Sequence, residues 1–282
     1  MADVLKGMEV VNAMKAELTA RVEALKGKGV EPCLGIVRIG ERPDDLSYER
    51  GAIKRSEGIG VACKVFSFPE DIGNDKFLEE FKKINADKSV HGILVFRPMP
   101  KHIDEGRVKE AICPDKDIDC MSDINIAKVF AADESGYAPC TPRAVMEMLK
   151  HNDIQIKGKR VTLVGRSMVV GKPLSMLLLK EHATVTLCHT RTVDLEAECK
   201  RADILIAAAG AAKMIKAAHV SEGAIVIDVG INVDDDGNLC GDVCYEGVEP
   251  IAGKITPVPG GVGTVTTSVL VMHVIMAAEK TL

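Results

Sequence analysis

Tryptophan is absent from the 282-residue chain, and tyrosine and phenylalanine supply only three and six residues. This scarcity excludes the aromatic platforms on which single-stranded nucleic acids stack. A basic patch is missing too. The formal net charge is −5 and the 36 Lys and Arg residues are dispersed, so neither nucleic acid nor a membrane surface is an expected partner. The opening Met1-Ala-Asp-Val-Leu-Lys-Gly7 lacks the apolar core of a signal peptide, and no apolar run approaches the ~20 residues of a membrane span. Nine cysteines make an odd count with no Cys-x-x-Cys, so neither a disulfide framework nor a zinc site is suggested; no metal is expected, and a reducing cytoplasm fits best. The nearest pair, Cys240 and Cys244, flanks Gly241-Asp242-Val243 without a histidine nearby.

The chain does have enough apolar sequence for a sizeable core: 46% of residues are hydrophobic, and the length suits two domains. Helical and strand patterns alternate. A helix is expected over 5–26, a strand over 33–39, a helix over 47–57, a strand over 61–68, a helix over 75–85 and a buried strand over 91–96. Further strands are expected at 160–164, 183–188, 202–208 and 224–229, with an apolar helix over 269–280. The fold class is therefore α/β with parallel strands covered by helices. The two prolines of Tyr137-Ala-Pro-Cys-Thr-Pro142 mark a domain boundary, followed by a helix from about Arg143. The first domain is expected over 1–138, completed by the C-terminal helix 266–282, and the second over 139–265.

Two loops carry chemistry. Thr256-Pro-Val-Pro-Gly-Gly-Val-Gly263 has prolines that forbid a helix and glycines that let backbone groups approach a ligand. Its internal valines, and the apolar segment that follows, distinguish it from a polar linker. The strand ending at Val164 runs into Gly165-Arg-Ser-Met-Val-Val-Gly171-Lys-Pro173 and then a helix, the order of a dinucleotide site without the strict Gly-x-Gly-x-x-Gly fingerprint. Pro173 suits a first helical turn, whose free amides favour phosphate. Where an NAD site often places an acid after its second strand, this chain has Cys188-His-Thr-Arg-Thr192. Arg166 and Arg191 suit a 2′-phosphate, so NADP is preferred, with NAD as the alternative.

Together, Tyr48, Pro114-Asp-Lys-Asp-Ile-Asp119, the turn from Gly165 to Pro173, Gly241-Asp-Val243 and the 256–263 loop resemble the methylenetetrahydrofolate dehydrogenase/cyclohydrolase family over almost the whole chain. The resemblance implies a homodimer of two-domain α/β subunits, in which a folate-binding N-terminal domain and a Rossmann-type NAD(P)-binding domain face a cleft. It implies tetrahydrofolate one-carbon derivatives as substrates and hydride transfer from 5,10-methylenetetrahydrofolate to the nicotinamide. It assigns the folate ring system to Tyr48, the pterin's amino edge to Asp119, and closure over the substrate to the loop carrying Pro259, Gly260 and Gly261. Cofactor contacts fall to Gly165, Arg166, Ser167, Val170, Gly171, Thr190, Arg191 and Ile231.

Several departures bear on the second reaction. The family's Tyr-Val-x-x-Lys-x-Lys reads Tyr48-Glu-Arg-Gly-Ala52-Ile-Lys54, so Ala52 stands at the active-site lysine. Lys54 lies off the helix face shared by positions 48 and 52, and Arg55, nearer that face, stays protonated. Phe96 replaces the glutamine that partners the lysine. Loss of both partners together fits apolar repacking, since losing one leaves the other buried and unpaired. Hydride transfer rests on alignment and survives these changes, whereas hydrolysis of the methenyl product needs proton movement. Cyclohydrolase activity is therefore expected to be weak or absent; the alternatives are a fully bifunctional enzyme and, more remotely, a non-catalytic binding subunit. Cys120 replaces a family glycine and Thr264 a family proline.

Overall fold

The computed structural model describes residues 1–282 and divides the chain into two compact units. One holds residues 13–140 and 267–282, the other residues 1–12 and 141–266.

The first unit is built on a three-stranded parallel sheet, with Cys33–Ile39 between Ala62–Phe68 and Gly92–Val95. Its central strand is buried at every residue, as expected of a parallel strand covered on both faces. The helix Asn74–Ala86 turns Phe77, Phe81 and Ile84 into a core shared with Val37 and Ile93. Helix Pro43–Glu57 starts four residues earlier than the pattern indicates, because Pro43 fits the first turn. Two short helices escaped the sequence reading. Glu105–Ala111 and Asp123–Phe130 span too few residues to display a period, and the caps made by Asp104 and Ser122 define them instead.

The second unit carries a six-stranded sheet in which Asp3–Val4, Lys254–Ile255, Ile225–Asp228, Ile204–Ala207, Arg160–Val164 and Thr184–Cys188 follow one another across the sheet, all parallel. Strand order reverses at Arg160–Val164: the next strand in sequence lies on one side and the one after it on the other, the arrangement that opens a ligand crevice at strand carboxyl ends. The extreme N-terminus, expected in the first domain, belongs here. Asp3–Val4 pairs with Lys254–Ile255, and the Leu5 amide donates to the Ile255 carbonyl at 2.8 Å. Two residues are too short a strand to read from a pattern. Helix Cys140–His151 begins three residues before Arg143.

The last helix, Val262–Glu279, is longer than expected and corrects the view that no run approaches a membrane span: over 18 residues its mean hydropathy is 1.5, and 72% of it is buried inside the protein. Packing accounts for its composition.

Candidate active site

Tyr48 and Ala52 lie one turn apart on helix Pro43–Glu57 in the first unit. Ala52 is completely buried. Phe96, just after strand Gly92–Val95, presents its ring edge-on to Tyr48, with centroids 5.9 Å apart and planes at 90°. The side of Tyr48 next to position 96 is thus apolar. Burial first, then electrostatic coupling to the titrating Cys140 and Asp119 side chains, pushes the Tyr48 hydroxyl well above its ordinary pKa, so it stays a proton donor. Lys54 is exposed, and Arg55 is half-buried with its pKa lowered by burial.

Beneath this helix sits a pair that sequence reasoning missed. Arg38 donates from Nε to Glu49 Oε2 at 3.0 Å, and its fork also donates to the Gly40 carbonyl. The two side chains are only 8% and 12% exposed. The signals were a lone arginine in an otherwise apolar strand and a glutamate where the resembling family has valine.

The Pro114–Asp119 segment divides its acids between two jobs. Asp117, 1% exposed, accepts from the Met121 amide at 2.7 Å, the Ser122 amide at 2.8 Å, Ser122 Oγ at 2.7 Å and Asn125 Nδ2 at 2.9 Å. It builds the entry to helix Asp123–Phe130. Asp119 keeps 31% of its side chain exposed, accepts from the Cys140 amide at 2.9 Å and has Arg97 Nη2 4.0 Å from Oδ2. Burial raises its pKa against the Cys140 hydrogen bonds and Arg97, which lower it. Between Asp119 and Met121, Cys120 adopts φ 59°. That left-handed backbone favours glycine, so the cysteine replaces a residue whose freedom the turn uses.

In the second unit, strand Arg160–Val164 delivers the chain to Gly165 at φ 126°, where a Cβ would lie 2.0 Å from the Ala208 carbonyl oxygen; no other residue fits. The amides of Arg166 to Val169 donate to no protein atom, while Ser167 Oγ accepts from the Val170 amide at 3.0 Å and shapes the turn. Helix Gly171–Lys180 follows at once. Exposed donors beside a helix N-terminus fit the pyrophosphate of a dinucleotide. Arg166 and Arg191 are exposed and make no ion pair; Thr190 is exposed beside Arg191. The nearest acid after strand Thr184–Cys188, Asp194, is committed to capping helix Leu195–Lys200. These residues fit a dinucleotide bearing a 2′-phosphate. Ile231 is 67% exposed.

The 256–263 loop is anchored at its base, where Thr256 Oγ1 accepts from the Asp228 amide at 2.7 Å, and near its tip, where the Gly260 carbonyl accepts from Gly7 at 2.8 Å. Pro259 and Gly260 are exposed, whereas Gly261 is buried. Tyr48, Ala52, Phe96 and Asp119 belong to the first unit; the loop and every cofactor candidate belong to the second.

Two family models match: the catalytic domain of tetrahydrofolate dehydrogenase/cyclohydrolase over residues 5–119, and the NAD(P)-binding domain of the same family over 139–282. A "Bifunctional protein FolD" from Clostridioides difficile is 53% identical over 276 residues, covering 98% of this chain and 96% of that protein. Among solved structures, the bifunctional FolD methylenetetrahydrofolate dehydrogenase/cyclohydrolase of Campylobacter jejuni superposes with a TM-score of 0.97 at 38% identity, covering both chains completely. The Trypanosoma brucei dehydrogenase-cyclohydrolase, solved with NADP cofactor and an inhibitor, gives 0.93 at 34% identity over 99% of this chain and 98% of its own.

Proposed function

The chain belongs to the tetrahydrofolate dehydrogenase/cyclohydrolase family, and from that membership we propose that it oxidises 5,10-methylenetetrahydrofolate with NADP and then hydrolyses the methenyl product to 10-formyltetrahydrofolate. The observation that carries the first reaction is the turn of free amides from Arg166 to Val169, flanked by two unpaired arginines with no acid in the position NAD sites use. When bound, the nicotinamide accepts the hydride.

The chain's own task in that step is alignment, worth up to about 7 to 11 kcal/mol in favourable cases. Tyr48, kept as a phenol, packs against the folate ring system and donates a hydrogen bond, and Asp119 holds the pterin's amino edge. By family resemblance, Pro259, Gly260 and Gly261 of the 256–263 loop are assigned to substrate binding. Residues 13–140 with 267–282 are assigned to folate and catalysis, and 1–12 with 141–266 to the dinucleotide. A homodimer is the expected assembly, and nine unpaired thiols support a reducing cytoplasm.

For hydrolysis, the relatives' names favour the bifunctional reading over the loss of activity that Ala52 and Phe96 alone suggest. The step then runs without a lysine base, with water oriented by Tyr48 and Asp119. A second reading, weak or absent hydrolysis, is favoured by one observation: position 52 offers only a methyl group, fully buried, with Phe96 apolar beside Tyr48. Separate assays of NADP reduction and methenyl hydrolysis on the purified protein test both. Absence of NADP reduction refutes the first proposal, and hydrolysis no faster than in buffer selects the second reading.

A further inference from the structure

Gly241-Asp242-Val243 touches none of the groups assigned to folate or phosphate, yet Asp242 is the most heavily bonded carboxylate of the second unit. Fully buried, it accepts at Oδ2 from the amides of Ala209 at 2.6 Å and Gly210 at 3.0 Å, and at Oδ1 from the Ala211 amide at 2.8 Å and Asn232 Nδ2 at 2.9 Å. Three consecutive amides curled round one carboxylate form an anion nest that the protein fills itself. Close packing locks the arrangement: a Cβ on Gly230 would lie 2.3 Å from Asp242 Oδ1, and one on Gly241 would lie 1.9 Å from Asp228 Oδ2. Asp228 in turn accepts from the Asp242 amide at 3.0 Å and the Val243 amide at 2.9 Å.

The segments so held lie at the carboxyl edge of the sheet. Ala209–Ala211 follows strand Ile204–Ala207 and abuts the phosphate turn, since the Ala208 carbonyl occupies the space a Gly165 side chain would need. Asn232 follows strand Ile225–Asp228, beside the exposed Ile231. Across the sheet, Arg191 marks the strand on one side of Gly165, and these two loops mark the strands on the other. A dinucleotide with its 2′-phosphate at Arg191 and its pyrophosphate at Gly165 must lay its second nucleotide over them.

We propose that Asp242 is a positioning residue: without touching the cofactor, its carboxylate fixes the 208–211 and 230–232 loops as the seat of the nicotinamide half. The inference rests on the NADP reading of this site. Its test compares wild type with Asp242→Asn, which keeps the shape and turns one acceptor oxygen into a donor facing amide donors. NADPH binding is followed by its fluorescence, binding of adenosine 2′,5′-bisphosphate by calorimetry, and folding by thermal melting. NADPH affinity should fall by at least about tenfold, the value of one charge-assisted hydrogen bond, while the fragment changes less than about twofold. Equal weakening of both ligands, or of neither, overturns the proposal. If Asp242→Asn does not fold, Asn232→Ala decides, with the same selective loss expected at a few-fold and an unchanged NADPH-to-fragment ratio overturning it. Wild type that binds neither ligand refutes the NADP reading and the inference with it; wild type that binds both leaves the variants to judge the inference alone.

Discussion

Restoring the missing pair with Ala52→Lys and Phe96→Gln tests what position 52 contributes. Ala52 is 0% exposed. A lysine there alone introduces an ammonium into a fully buried position one helical turn from Tyr48, whose ring packs edge-to-face on Phe96 at 5.9 Å between centroids; an unpaired buried charge costs several kcal/mol, on the order of 3, and its pKa falls. Adding glutamine at 96 supplies a polar partner and gives up part of a half-buried ring, about 1 to 2 kcal/mol of apolar burial. The double variant should therefore be more stable than Ala52→Lys alone. A positioned base contributes about 10² to 10⁴-fold, equivalent to about 3 to 5 kcal/mol of barrier. The decay of the methenyl chromophore should accelerate by that order, while NADP reduction, which needs no proton transfer, changes less than about tenfold. A folded double variant with unchanged hydrolysis would refute the reasoning that position 52 limits this step.

Asp117→Ala strips a partner from two buried amides, a hydroxyl and an amide side chain, and should destabilise by about 3 to 5 kcal/mol in denaturant unfolding; a loss below about 1 contradicts its structural role. Arg166→Ala and Arg191→Ala should each narrow the preference for NADP over NAD by about tenfold or more in kcat/KM, through the NADP value alone. Equal effects on both cofactors would remove the 2′-phosphate assignment. Asp228 is pushed up to about 6 from 3.8, chiefly by burial and with Asp242 adding to it, against three backbone donors. Because the folded value is raised, this contribution to stability is fully present below about pH 4 and is lost as pH rises through about 6. Carboxyl-carbon NMR should place its midpoint near 6, and a midpoint below 4 contradicts the assigned balance.

The alternation of apolar strands with helices was legible because parallel strands covered on both faces read as continuous apolar runs, as Cys33–Ile39 does. Strand Asp3–Val4 and helices Glu105–Ala111 and Asp123–Phe130 were not, because tertiary pairing and single caps create them rather than periodicity. At the sites, the glycine turn declared itself through composition. Asp117 and Asp119 looked equivalent in sequence, and only burial separates the one that builds a helix entry from the one left partly exposed. Likewise Cys120 was visible as a substitution, but its left-handed backbone was not. Asp242 was legible as part of a motif and opaque as a function, since its four partners come from segments more than nine residues away in the chain.

The most direct measurement follows the purified protein with 5,10-methylenetetrahydrofolate and NADP, recording NADPH formation and methenyl decay separately. NADPH should form in step with methenyltetrahydrofolate, followed by hydrolysis faster than in buffer. Folded protein that binds NADP but forms no NADPH would contradict it.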